Sequence, residues 1–453
     1  MPPTHHLTLL RHAESEGNIL NLFIGQDDPS LTENGRRQAR ALAQRWASDG
    51  VGFDKIIASP LARARETAGI IAAELGLPVE TDPLWMEQDF GEWNPARVPD
   101  IMRDPNTPKY FTPYDRPGRT GETRMETYLR AGQAIHNLLD RSPALGAPAL
   151  STTGRYLIVA HGVILNMVLY FAFGIPCHPS SEGPWFAFHH TSFATLTYTP
   201  ERYRWHLIRL NDHRHLPDPP PIDDPDSFHI TFVRHAESEG NANGLWQGQL
   251  ESPLSEEGRV QVRALAEHLT RKGARFDHIL ASPLSRAQDT AAALAEKMNL
   301  PIETDPIWLE RDNGRWAGST DENRHPPEPD YLFLHHPAGE TGETQWELYL
   351  RGGQAIHNLL NRPPGRYFVA SHGGILNMVM CAALGITPFP NHQGARFAFG
   401  NTGVCTVTYI PARNRWLITA LNDLSHLEEP ANQQIGKSAN QQVYLQAARE
   451  QLE

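Results

Sequence analysis

The sequence predicts an α/β protein of two tandem domains, each a mostly parallel sheet flanked by helices on both faces, and three observations carry that expectation. The first is internal repetition. HLTLLRHAESEGN at 6–18 returns as HITFVRHAESEGN at 229–241, ASPLARARETA at 58–68 as ASPLSRAQDTA at 281–291, and LPVETDPLWMEQDFGEW at 77–93 as LPIETDPIWLERDNGRW at 300–316. TGET (120–123, 341–344), QAIHNLL (133–139, 354–360) and VAHGVILNMV (159–168) against ASHGGILNMV (370–379) follow in the same order. The second is the alternation of short apolar runs with amphipathic stretches, which implies βαβ units. The third is length: 453 residues, at ~100 to 200 per domain, asks for two or three cores.

Taken along the chain, LTLLRH, DKIIASP and RYLIVAH read as strands, while RRQARALAQRWASD and RARETAGIIAAELG carry apolar residues at helical spacing. The insertion SPALGAPALSTTG (142–154), where the second copy has only PPG (363–365), reads as a surface loop. Each copy closes on a Leu-Asn-Asp segment, at 210–216 and 421–427. The expected domains are therefore 1–216 and 228–427, joined by an extended Pro/Asp-rich linker at 217–227 and followed by a polar tail at 428–453, a short helix or disorder.

Composition narrows the class. Hydrophobic residues at 40% and charged residues at 20% are those of a folded globular chain, and a net charge of −12 argues against nucleic acid as a partner. Cys177, Cys381 and Cys405 give neither a disulfide framework nor a zinc spacing. With no signal peptide and no long apolar run, a cytoplasmic protein without membrane contact is expected. The sequence leaves the oligomeric state open.

In parallel sheets ligands bind beyond the carboxyl ends of the strands. Arg11-His12, Ser59 to Arg63 and His161 fall there, as do Arg234-His235, Ser282 to Arg286 and His372 in the second copy. Two arginines facing two imidazoles would neutralise a phosphoryl group, so the implied ligand is a phosphate ester. One imidazole can attack phosphorus, and a loop acid, Glu87 or Glu310, can protonate the leaving alkoxide if the apolar run beside it (Leu84-Trp85-Met86 in the first copy) raises its pKa. Asp89 and Asp312 are the alternative acids.

These ordered motifs resemble the histidine phosphatase superfamily, the phosphoglycerate mutase-like proteins, over nearly the whole chain and twice over. The family's opening Arg-His-Gly stands here as Arg-His-Ala, and the added methyl of Ala13 and Ala236 is expected to be tolerated. The resemblance implies that His12 and His235 are nucleophiles that become phosphohistidine. It implies that Arg11, Asn18, Arg63 and His161, with Arg234, Asn241, Arg286 and His372, form the phosphate pockets, and that Glu87 and Glu310 donate protons. It implies no cofactor and no metal.

Other repeated residues read as structural: His136 and His357 as helix-surface groups, Trp93 and Trp316 as wall aromatics, and Arg36-Arg37-Gln38-Ala39-Arg40 as an exposed helix face. His189-His190, set opposite Phe399-Gly400, lacks companions for a metal.

Three functions compete. The first is a phosphomonoesterase for small phosphorylated metabolites, with two sites of different specificity. The second is a phosphoglycerate mutase-type transferase. The third is a phospho-ligand-binding regulator with one inactive copy. The mutase case is weakened by Glu87-Gln-Asp-Phe and His161-Gly-Val, which stand where the resemblance leads one to expect Glu-Arg-His-Tyr and His-Gly-Asn. The binding case is weakened because neither copy lacks a candidate nucleophile, arginine or acid. The copies diverge at 94–119 and 317–340, and the five basic residues of the former lead to the expectation that the first site favours the more highly charged anions.

Overall fold

The computed structural model describes residues 4–104, 107, 112–139, 154–179, 182–217, 224–323, 325, 334–389 and 394–428. The chain divides into two compact units, with the boundary between residues 221 and 222. The insertion at 142–153, the middle of the 217–227 linker and the tail from 429 lie outside the described residues.

In the first unit the elements are β1 (His5–Arg11), α1 (Glu16–Ile19), α2 (Glu33–Ser48), β2 (Lys55–Ala58), α3 (Ala62–Leu75), β3 (Val79–Thr81), α4 (Val98–Arg103), α5 (Arg124–Leu139), β4 (Arg155–Ala160), α6 (Gly162–Phe173), β5 (Gly183–Phe186), β6 (Phe193–Thr199) and β7 (Arg204–Asp212). The second unit repeats the plan without a described partner for α4: β8 (Phe228–Arg234), α7 (Glu239–Ala242), α8 (Glu256–Arg271), β9 (His278–Ala281), α9 (Ser285–Met298), β10 (Ile302–Thr304), α10 (Gln345–Leu360), β11 (Gly365–Ser371), α11 (Gly373–Ala383), β12 (Gly394–Phe397), β13 (Val404–Ile410), β14 (Arg415–Asp423) and α12 (Ser425–Glu428).

Strand order in the first unit is β3-β2-β4-β1-β6-β7, parallel from β3 to β1 and antiparallel beyond it. The second unit has the same order, β10-β9-β11-β8-β13-β14. The antiparallel pair at the end needs no helical crossover, so the strand–helix alternation that announces the parallel part is silent about it.

Side chains alternate across a strand. On one face Leu10, Ile56, Ala58, Leu157 and Val159 pack with Leu42, Ala43 and Trp46 of α2 and Ala64, Ala68 and Ile71 of α3. Leu7, Leu9 and Ile158 point the other way and are equally buried, on the side where α5 and α6 pack together and α6 contacts β1. Both faces are therefore covered, as a parallel sheet requires.

Thr32 and Ser255 cap α2 and α8, their hydroxyls accepting from the N–H groups of Gly35 and Gly258 at 2.8 and 2.9 Å. A Cβ at Gly35 would lie 2.1 Å from the Glu14 carbonyl, and one at Gly258 would lie 1.9 Å from that of Glu237. Only glycine lets these helices press against the loop that leaves the first strand of each unit. Among the described residues no helix is long and apolar enough to cross a membrane, and the three cysteines are free.

Candidate active site

Strands β1, β2 and β4 end side by side. The His12 N–H donates to the Ala160 carbonyl at 2.9 Å and the Ser59 N–H to that of Val159 at 3.0 Å, so residues distant in sequence arrive at one edge. His12 and His161 come to 5.0 Å between ring centroids, and His235 and His372 match that separation. In the first unit Arg11, His12, Asn18, Arg63 and Glu87 line a cleft of about 220 Å³, with His161 buried beside His12, and in the second Arg234 and Arg286 act on both His235 and His372.

The tautomer of His12 follows from its partner. Nδ1 lies 2.7 Å from the Ala13 carbonyl, which can only accept, so Nδ1 carries the proton and Nε2 keeps its lone pair. His235 makes the same bond to Ala236. Burial, reinforced by His161, Arg63 and Arg11, holds the His12 imidazole well below the ordinary histidine range, and His235 is held down by burial, Arg234 and Arg286. Both are neutral near pH 7. The backbone beyond each is fixed by a helix: the Ala13 N–H donates to Thr67 Oγ1 at 3.1 Å, and that of Ala236 to Thr290 Oγ1 at 2.9 Å. The Ala13 methyl packs against Leu31 and Ala39, which is how this chain accommodates alanine after the histidine.

His161 turns Nε2 to Ser59 Oγ at 2.8 Å, and His372 turns its own to Ser282 Oγ at 2.7 Å. Ser59 Oγ also accepts from the Leu61 N–H, and among the described residues the His161 Nδ1 is buried with no protein partner, so that with the Ser59 hydrogen turned to Nε2 it is Nδ1 that carries the proton.

The arginines show the same incompleteness. Arg63 uses both terminal nitrogens on the carbonyls of Asp27 and Gly25, each at 2.7 Å, and Arg286 uses its own on Leu250 and Gly248. Arg11 and Arg234 donate to the carbonyls of Phe188 and Phe399 at 2.7 and 2.9 Å. Among the described residues the Nε of all four is buried and has no partner. Burial brings Arg63 and Arg286 down to about 10, so both stay charged at neutral pH. Asn18 Oδ1 accepts from Ser15, which leaves the amide nitrogen to the cleft. Asn241 Oδ1 likewise accepts from Ser238.

Glu87 lies across the start of α6: Oε2 accepts from the Val163 N–H at 3.1 Å, and Oε1 from the N–H groups of Ile164 and Gln88 at 3.0 Å. Glu310 is held alike by Gly374, Ile375 and Arg311. Trp85 is core, and the carboxylate's partners are peptide N–H groups. Asp89 and Asp312 are turn braces, accepting from the N–H groups of Gly91 and Gly314 at 2.9 and 2.8 Å.

Sequence reasoning missed the residues that hold this machinery. Arg130 on α5 donates to the carbonyls of Leu84, Met86 and Glu87 and pairs with Glu122 at 2.6 Å, clamping the acid's loop. Arg351 does the same with Ile307, Leu309, Glu310 and Glu343. The TGET repeat thus supplies the arginine's counter-ion. In the closing segments Asn211 Oδ1 accepts from the His189 N–H at 3.1 Å and Asn422 Oδ1 from that of Gly400 at 2.8 Å, steadying the turn whose carbonyl anchors the first arginine.

Those bonds also correct the pairing of His189-His190, which matches Gly400-Asn401 and not Phe399-Gly400. His190 is a site residue that the sequence did not disclose. Its ring lies 6.0 Å from that of His12, its Nε2 is buried without a partner, and burial and Arg11 push it down to about 3. Asn401, by contrast, donates to the His235 carbonyl at 2.9 Å. The only visible signal was divergence inside an otherwise matching block.

The charge argument from 94–119 is also corrected. Arg97, Arg103, Arg116 and Arg119 do not line the cleft. Arg116 pairs with Glu126 at 2.5 Å and Arg119 is 88% exposed, while Lys109 and, in the second loop, Arg324 lie outside the described residues. His136 and His357 are exposed on their helices and Trp316 is buried, in keeping with structural roles. Among the described residues no group of three or more His, Cys, Asp or Glu side chains could hold a metal ion.

A family model described as the histidine phosphatase superfamily (branch 1) matches residues 7–213 and 230–424, and the chain belongs to that superfamily. Among curated proteins it is 30% identical over 211 residues to the "Probable phosphoglycerate mutase GpmB" of Yersinia enterocolitica and 31% identical to that of an Enterobacter species, each match covering 45% of this chain and 96% of the relative. The solved structure of "Mycobacterial hydrolase 1" is 25% identical with a TM-score of 0.39, covering 46% of this chain and 98% of that one.

Proposed function

We propose that both copies are phosphomonoesterases that pass the phosphoryl group to a histidine and then to water. The observation that carries this reading is the set of buried donors without partners, the Nε of Arg11 and Arg63 and the Nδ1 of His161, gathered beside an imidazole whose Nε2 is free. A buried donor left unmade costs about 1–3 kcal/mol, and a phosphoryl dianion would satisfy all three together. The second copy presents the same set in Arg234, Arg286 and His372 beside His235.

In the first step His12 Nε2 attacks phosphorus, the P–N bond forms as the ester P–O bond breaks, and Glu87 supplies a proton to the departing alkoxide. Charge on the phosphoryl oxygens is met by Arg11, Arg63, Asn18 and His161, already held in place by backbone carbonyls and Ser59. In the second step water attacks phosphorus, Glu87 takes its proton back, the P–N bond breaks and inorganic phosphate leaves. No step asks for a metal.

The name of the Yersinia relative, a probable phosphoglycerate mutase, favours a second reading, in which the phosphohistidine hands its phosphoryl group to another hydroxyl of a phosphorylated acid. A metabolite panel assayed in EDTA separates the readings. Inorganic phosphate as the product, lost in the His12→Ala/His235→Ala double variant, supports hydrolysis. A positional isomer without free phosphate supports the mutase. Activity that needs an added divalent ion sinks the metal-free mechanism, and tight binding without turnover leaves a regulator.

A further inference from the structure

The phosphate-binding floors of the two units are alike, but the walls above them are not, and the hydrogen bonds already described set the register for comparing them. Gly25 and Gly248 hold equivalent arginines, so Ile24 corresponds to Gln247. Asp89 and Asp312 brace equivalent turns, so Phe90 corresponds to Asn313. Val163 and Gly374 donate to equivalent acids. Asn166 and Asn377 donate to the carbonyls of Phe186 and Phe397 at 3.0 and 2.6 Å, so Trp185 corresponds to Arg396.

In the first unit Ile24, Phe90, Val163 and Trp185 all line the cleft. Phe90 leans on Phe23, with ring centroids 5.0 Å apart, and Phe23 on Trp93 at 5.4 Å, making an aromatic wall. Arg124, whose guanidinium lies 5.6 Å from the Trp185 ring centroid, is 6% exposed and is not a lining residue.

In the second unit the counterparts of Ile24, Phe90, Val163 and Trp185 are polar or bare, while Trp246 and Trp316 keep aromatic rings at the places of Phe23 and Trp93. Asn313 is 6% exposed, and among the described residues its carboxamide has no side-chain hydrogen bond. Gln247 Oε1 accepts from the Ser238 hydroxyl, and among the described residues its amide nitrogen has no partner. Arg396, half-buried on β12, forms no ion pair among the described residues. At Gly374 a Cβ would lie 2.4 Å from Glu310 Oε1, so the acid approaches the backbone where Val163 carries a side chain in the first unit.

We propose that the two sites sort phosphate esters by the polarity of the esterified alcohol: the first takes apolar or aromatic alcohols against Trp185 and Phe90, the second takes alcohols bearing a carboxylate or a second phosphate against Arg396, Asn313 and Gln247. The proposal deepens the phosphatase reading and rests on it for turnover. An aromatic wall gains from burying an apolar group and loses by desolvating an anion, and a partly buried guanidinium does the reverse.

The test uses phosphonates, which bind without reacting, so that sorting and hydrolysis are read separately. Calorimetric titration of the full chain with benzylphosphonate and with phosphonoacetate is repeated on Trp185→Ala and Arg396→Ala. Trp185→Ala is expected to weaken benzylphosphonate about 10-fold and leave phosphonoacetate within twofold, and Arg396→Ala to do the opposite, the size of one lost aromatic or charged contact. Trp185→Phe and Arg396→Lys should retain most of the affinity. If either alanine variant melts below the parent, Trp185→Gln and Arg396→Gln carry the same test. Both ligands responding alike to both variants, or to neither, overturns the proposal. Release of phosphate from benzyl phosphate and phosphoglycolate is then measured on the same proteins. Sorted binding without release keeps the sorting and sinks the phosphatase reading, whereas release without sorting does the reverse.

Discussion

The two units keep the same arginine, histidine and glutamate arrangement and differ mainly in the residues that surround it. Arg11, His12, Arg63, Glu87 and His161 have counterparts held by the same kinds of bonds in the same places, while Trp185 faces an equivalent Arg396 and Phe90 an equivalent Asn313. The lesson is that the two halves of such a pocket answer to different constraints. A phosphoryl group has one shape and one charge pattern, so moving any donor leaves another buried and unmade. The alcohol it is esterified to has no fixed shape, and wall residues can change without disturbing the floor.

The strongest way to break the comparison is to remove the attacking groups. His12→Ala should lower turnover of the first site's substrates by ~10⁴ or more while leaving the second's, and His235→Ala the reverse. If either variant silences both substrate sets, the clefts are not independent. Next in size, Glu87→Gln should slow alkyl phosphates by ~10² to 10⁴ and an aryl phosphate much less, because a phenolate departs without a proton. Equal losses on both would reduce Glu87 to a structural role. Arg130→Ala should reproduce that selectivity in weaker form, about 10-fold in kcat, if its grip on the carbonyls of Leu84, Met86 and Glu87 positions the acid. A uniform loss tracking thermal stability would mean that it only holds the fold.

Acid should sharpen the comparison further. Burial lowers His5, His6, His12, His161, His178, His189, His190 and His215 in the first unit, with His189, His190 and His215 at about 4, 3 and 4, and it lowers His235 and His372 in the second. Each is neutral when folded and takes up a proton when unfolded below its ordinary value near 6.5. The unfolded state therefore binds more protons, and stability falls as pH drops from about 6.5 toward the folded value, by up to about 1.4 kcal/mol per pH unit for each fully buried group. Calorimetry between pH 7.5 and 5 should show the first unit's melting falling faster. Vanadate or phosphate should oppose the loss by binding the folded form. The smallest effect is expected from exchanging His190 and Asn401. His190→Asn should change kcat by less than about 10-fold, since His190 adds no bond to the His12 backbone whereas Asn401 braces that of His235. A loss as large as that of His12→Ala would make His190 part of the chemistry.

By itself the sequence determined the duplication, the α/β class, the strand-end position of the arginines and histidines, and Glu87 and Glu310 as the acids to consider. These were legible because repetition, periodicity and motif order are linear properties. What only the tertiary structure decided is how each group is held and what stands over it. The free Nε2 of His12 depends on a carbonyl one residue away, the posture of Glu87 on the first N–H groups of a helix far along the chain, and its loop on Arg130, an arginine that reads in the sequence as one more helix-surface charge. The loop at 94–119 misled for the same reason. Charge can be counted along a chain, but its effect on a ligand depends on distance and screening, and folding puts Arg116 on Glu126 and Trp185 on the wall of the cleft.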